Sequence, residues 1–189
     1  MGVLLIKAGS DINAKDAHGN TPLHNSCYHN CPEFTKLLLM RGADVNIRSK
    51  NLDTALDYAC ESGHIEIVKL LIEANADVNS CGENNWSPLH NAAGIPRKIA
   101  IDVVKLLLKA GANAMTKSGN GQYPCDVAEN STVKSLLVEA KLQAFALDAI
   151  LNQPEIIAHQ DSVSSYIFPV NFFRLPLLLS SQIVLSPSS

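Results

Sequence analysis

Thr21-Pro22-Leu23-His24 recurs as Ser87-Pro88-Leu89-His90, and midway, 33 residues from each, stands Thr54-Ala55-Leu56-Asp57. The phrase has a local meaning before it has a global one. Thr or Ser offers a side-chain oxygen to the orphan N–H groups of a helix start, and Pro at the next position has no N–H to lose there. A second phrase keeps the same beat. Asp11-Ile12-Asn13, Asp44-Val45-Asn46 and Asp77-Val78-Asn79 again fall 33 apart. A fixed period of this length is the mark of a solenoid, in which each unit buries its apolar face only against its neighbours.

The period divides the chain. Residues 1–15 read as the second half of a repeat, with Leu4, Leu5 and Ile6 on its outer helix. Counted back from Asn13, Met1 falls inside that helix, so the sequence is expected to be a fragment, an alternative product or an incomplete gene model. Residues 16–48 make a full repeat, with a hairpin tip at Asp16–Asn20, a first helix to about Tyr28, and a second from Pro32 to about Arg41 with Phe34, Leu37 and Leu38 on one face. Gly42 is expected to end that helix in the left-handed conformation.

Residues 49–81 follow the same plan with two exchanges. Leu52 stands where the tip glycine should be, and Asn75 replaces the helix-ending glycine; Asn is the next best residue at a left-handed position. Residues 82–117 carry three extra residues around Gly94–Lys98, where Pro96 is expected to cut the first helix short. Residues 118–140 form a shortened repeat, with Tyr123-Pro124-Cys125-Asp126 in place of the opening phrase. Helix is expected to continue through Leu151 as a cap, and 152–189 reads as a disordered or poorly packed tail.

Together these phrases resemble the ankyrin repeat family over about residues 3–151. The resemblance implies an all-α solenoid of stacked antiparallel helix pairs with hairpin tips. It implies that the motif threonine and histidine are structural, and that a protein partner binds the concave face made by tips and inner helices. Fold does not name that partner. By register the expected partner-binding residues are His18, Asn20, Asn51, Asp53, Glu83, Asn84 and Trp86 on the tips, and Tyr28, His29, Glu61 and Ser62 on the inner helices, with Ile95 at a further inner position. Trp86, the single tryptophan, is the expected anchor. Asp53, Glu61 and Glu83 lean the face towards acid and favour a basic segment, such as a histone tail read in the nucleus. The resemblance also implies that Asn13, Asn46 and Asn79, each with a leucine eight residues earlier (Leu5, Leu38, Leu71), are targets of an asparaginyl hydroxylase.

Composition narrows the remaining classes. A net charge of −3 in 189 residues gives no basic field for nucleic acid. Five cysteines (27, 31, 60, 81, 125) without a CxxC pair read as reduced thiols of a cytoplasmic or nuclear protein. His24, Cys27, His29 and Cys31 crowd together but read as repeat positions, and no metal or other cofactor is expected. His24, Asp57 and Cys60 lack the glycine elbow, phosphate loop or paired carboxylates of a catalytic site, so no enzyme is expected. In the tail, Tyr166–Leu179 is apolar but broken by Pro169, Asn171, Arg174 and Pro176, which argues against a spanning helix. Its Leu and Pro content leaves a second reading, an adaptor whose tail docks a ubiquitin ligase or similar machinery. A monomer is expected.

Overall fold

The computed structural model describes residues 11–151, with side chains through 149. The half repeat before residue 11 and the tail from 152 lie outside the described residues. The helices are α1 (Pro22–Tyr28), α2 (Pro32–Met40), α3 (Ala55–Ser62), α4 (Ile65–Glu73), α5 (Pro88–Ala93), α6 (Ile99–Lys109), α7 (Pro124–Val127) and α8 (Ser131–Leu151), with a 3-10 turn at Glu83–Asn85. Each repeat folds as a hairpin of a short inner and a longer outer helix. Inner helices α1, α3, α5 and α7 pack side by side in chain order, and α2, α4 and α6 form the layer behind them. The chain thus forms the expected all-α solenoid.

The period reappears as rows of buried side chains. Leu23, Leu56, Leu89 and Cys125 make one row through the inner helices; Leu38, Leu71, Leu107 and Leu137 make another through the outer ones. Burying one leucine stabilises by roughly 1.5–3 kcal/mol, and each row is completed only by the next repeat. A third row, Val45, Val78 and Ala114, closes the loops that follow the outer helices. Ser26 and Thr35 interrupt this apolar interior. Their hydroxyls lie 2.9 Å apart, Ser26 donating to the Leu23 carbonyl and Thr35 to the Cys31 carbonyl. The two following repeats put Ala59 with Val68 and Ala92 with Val104 in these places, and all four are buried.

The backbone exchanges take the conformations the sequence asks for. Gly42 and Gly111 have φ of 83° and 91°, and Asn75, at the equivalent place, has φ of 60°. Leu52 takes φ of 67° where Gly19 has 79°. A left-handed leucine costs roughly 1–2 kcal/mol, so the second tip is held by its neighbours against its own preference. Gly19 itself is fixed by crowding, because a Cβ there would meet the Lys50 amide nitrogen at 2.8 Å.

Short inner helices follow from local chemistry. α5 stops at Ala93, before Gly94 and Pro96, and Ile95 turns inward to be buried. That corrects its placement on the binding face. The last repeat's inner helix has only four residues, and Ala128 after it is extended. The helical stretch to Leu151 is continuous with the outer helix of that repeat. α8 buries Val133 and Leu137, while Leu142, Phe145 and Leu147 beyond them are exposed.

Candidate functional site

Two sets of bonds set the spacing between repeats. The first runs through the motif histidines. Nδ1 of His24 accepts the Thr21 N–H at 3.1 Å and the Thr21 hydroxyl at 2.9 Å. The backbone donor leaves no choice of tautomer: the proton sits on Nε2, which donates to the Asp53 carbonyl of the next tip at 3.2 Å. His90 repeats the arrangement with Ser87 and, at 3.1 Å, the Gln122 carbonyl. Burial pushes both imidazoles below the ordinary histidine range. Asp57 differs. Its carboxylate accepts the Thr54 N–H and hydroxyl, both at 2.8 Å, and the Asn91 side-chain amide at 3.2 Å. Burial pushes its carboxyl up to about 6.

The second set is a ladder of asparagines. The side-chain oxygen of Asn13 accepts the Asp44 N–H at 3.0 Å, that of Asn46 the Asp77 N–H at 2.9 Å, and that of Asn79 the Asn113 N–H at 2.7 Å. Each asparagine N–H is in turn taken by the aspartate two residues before it. The three expected modification residues are therefore structural rungs. Their side chains remain at least partly exposed.

Between the first tip and the inner helices lies a groove of about 440 Å³ lined by His18, Asn20, His24, Asn25, Tyr28, His29 and Tyr58. It gathers four of the expected residues, His18 and Asn20 from the tip and Tyr28 and His29 from the end of α1. Tyr28 is 58% exposed. Its ring meets those of His29 and Tyr58 edge to face, with centroids 5.1 and 6.1 Å away. Tyr58 was not among the expected residues. It stands one period after Asn25 on α3, its ring edge-on to His24 at 5.8 Å and its hydroxyl donating to Asn20 Oδ1 at 3.2 Å. An aromatic at an inner-helix position otherwise held by Asn25 and Asn91 was the signal that could have found it.

The acidic residues also converge. Asp53 is half-buried, and burial first, then Glu61 and Glu83, raises its carboxyl above the ordinary range. A Cβ on Gly82 would collide with its Oδ1. Glu61 and Glu83 are exposed, Ser62 is half-buried at the end of α3, and Asn51 is exposed on the strained second tip.

The third tip is less free than its sequence suggests. Asn84 and Asn85 both take left-handed φ (57° and 58°). The Asn84 carbonyl accepts the Gly119 N–H, and the Asn85 amide donates to the Lys117 carbonyl at 2.6 Å. Trp86 is only partly exposed. Its ring lies 5.4 Å from that of His90, tilted by 45°.

The buried thiols offer no nucleophile. Burial pushes Cys27 up to about 12 and Cys60 well above the ordinary thiol range. Among the described residues no group of three or more His, Cys, Asp or Glu is placed to hold a metal. No described helix is long and apolar enough to cross a membrane.

The family model described as "Ankyrin repeats (3 copies)" matches residues 2–80 and 49–118. No curated protein matches the chain. Ankyrin repeats are protein–protein interaction modules. The matched span, the 33-residue rows of buried leucines and the histidine and asparagine bonds between repeats agree, and the chain belongs to the ankyrin repeat family.

Proposed function

We propose that this chain binds another protein through its concave face, and that the groove between the first tip and helices α1 and α3 is the centre of contact. The observation that carries the reading is Tyr28. Tyr28 is 58% exposed at the groove, and its ring contacts with His29 and Tyr58 leave more than half of it in solvent. Tyrosine gives large contact area at little entropic cost, and it is enriched among residues that dominate binding energy. His18, Asn20 and His29 supply polar groups around it, as a specific contact requires. Asp53, Glu61 and Glu83 support a partner segment that is basic, because like charge on the partner would be repelled. Trp86, Asn51, Ser62 and Asn84 belong to the outer part of this proposed surface.

A photo-crosslinking residue tests it. Placed at Tyr28 it should capture a protein partner in cells. Placed at Met40, which is 76% exposed on outer helix α2, it should not. Capture from Met40 and none from Tyr28 would move the interaction to the opposite face.

A further inference from the structure

We infer that the groove at Tyr28 and Tyr58 is a seat for one lysine or arginine side chain of an extended peptide, with Asp53 and Glu61 as its counter-charges. The inference rests on the reading of the concave face as a protein-binding surface, and it names what that surface selects.

The rings come first. Tyr28 and Tyr58 meet at 88°, edge to face, with centroids 6.1 Å apart. Tyr28 remains 58% exposed, and the face of an aromatic ring carries the negative potential that attracts an ammonium or guanidinium. Tyr58 is fixed from two sides, by its perpendicular contact with the His24 ring and by its bond to Asn20, so the platform is ordered before anything arrives. A preordered site binds without the loss that ordering would impose.

The surrounding charge selects the sign of the guest. No Lys or Arg lines the groove. Asp53 is tied to the groove by the bond from His24 to its carbonyl, and Glu61 stands about one turn beyond Tyr58 on α3; burial first, then these carboxylates, raise the Tyr58 phenol. Near His24 the first tip carries Asp16 alongside Lys15, opposite charges that offset one another there. Of the nearby cations, Lys15 Nζ is held by the Arg48 carbonyl at 3.0 Å, and the stem of Lys50 runs beside Gly19 at the edge of the first tip. An anionic side chain would face Asp53 and Glu61. An apolar one would cover polar groups of His18, Asn20 and Asn25 without bonding them. A long cationic side chain does neither, and its peptide backbone can bond to Asn25 and His29. The groove, at about 440 Å³ and open to solvent, has room for a long side chain of an extended segment.

The test is selection of a random displayed peptide library on the full chain, followed by fluorescence anisotropy of the enriched peptides. Enriched peptides should share one Lys or Arg. Replacing it with norleucine should weaken binding about tenfold or more, as should Tyr28→Ala and Glu61→Gln in the protein. Tyr58→Phe should keep most of the affinity, since the ring remains. Enriched peptides that are apolar or acidic, yet still lost with Tyr28→Ala, would overturn the cation seat and leave the protein-binding groove standing. Binders that all tolerate Tyr28→Ala would overturn both.

Discussion

His24 Nε2 donates to the carbonyl oxygen of Asp53 at 3.2 Å, joining one inner helix to the tip of the next repeat across 29 residues of chain. The Nε2–H donates in either protonation state; the neutral imidazole is needed at Nδ1, which accepts from Thr21 and loses that role once protonated. His24→Ala leaves the Thr21 N–H and one side of the Asp53 carbonyl unpaired in a buried place, a loss of roughly 1–3 kcal/mol. Urea denaturation at pH 7.5 reads it directly. The histidines also fix a pH dependence. Their folded pKa lies below the unfolded one, so the unfolded chain binds the extra proton. Their contribution is complete above the ordinary histidine value and declines as pH falls below it. His24→Ala should lose less stability between pH 7.5 and 5.5 than the parent does.

Asp57 reverses that sign. Its carboxyl titrates near 6 in the fold against 3.8 in a model peptide, so the folded chain binds the extra proton. Its contribution is greatest below about 4 and is lost as pH rises through 6. At neutral pH the buried carboxylate therefore weighs against the fold by roughly 2–3 kcal/mol. Asp57→His restores the phrase carried by the neighbouring repeats and should raise stability at pH 7.5 by roughly 1–3 kcal/mol. The gain should shrink towards pH 4.5, and a gain independent of pH would contradict the assignment.

Leu52 holds a glycine conformation, with φ of 67° and half its side chain in solvent. Leu52→Gly should relieve the strain at little loss of packing and raise stability by about 1 kcal/mol. A rise of a few degrees in the melting temperature is the expected readout. Leu52→Ala, which keeps a Cβ, should give no such rise.

Ser26 and Thr35 form the polar pair that the next two repeats replace with Ala and Val. Removing both members takes away donor and acceptor together. Ser26→Ala with Thr35→Val should be neutral or stabilising within about 1 kcal/mol, since paired removal leaves nothing buried and unsatisfied. Denaturant midpoints of the two singles and the double measure the coupling.

Much of this fold was legible because its determinants are local and repeated. Thr21, Ser87, Gly42 and Asn75 act through their own backbone geometry, which a residue type reveals without knowledge of its neighbours. The 33-residue period then relates Leu23, Leu56 and Leu89, and Leu38 and Leu71, among the buried leucines. The site was less legible because its determinants cross repeats. Tyr58 joins the groove through Asn20 and His24, contacts that depend on how α1 and α3 pack. Ile95 turned inward after the break at Gly94, which no spacing rule anticipates. Trp86 was conspicuous as a residue type, but its contact with His90 follows from a side-chain direction that the sequence does not encode. Asp53 was expected on the open tip and is half-covered beneath Gly82.

The most direct measurement is calorimetric titration of the protein captured at position 28 against two variants of this chain, Tyr28→Ala and Met40→Ala. Both residues are well exposed, one on the concave face and one on the outer layer, so neither change disturbs the core. The account predicts an affinity loss of about tenfold or more for Tyr28→Ala and none for Met40→Ala. Equal affinities, or a loss confined to Met40→Ala, would contradict it.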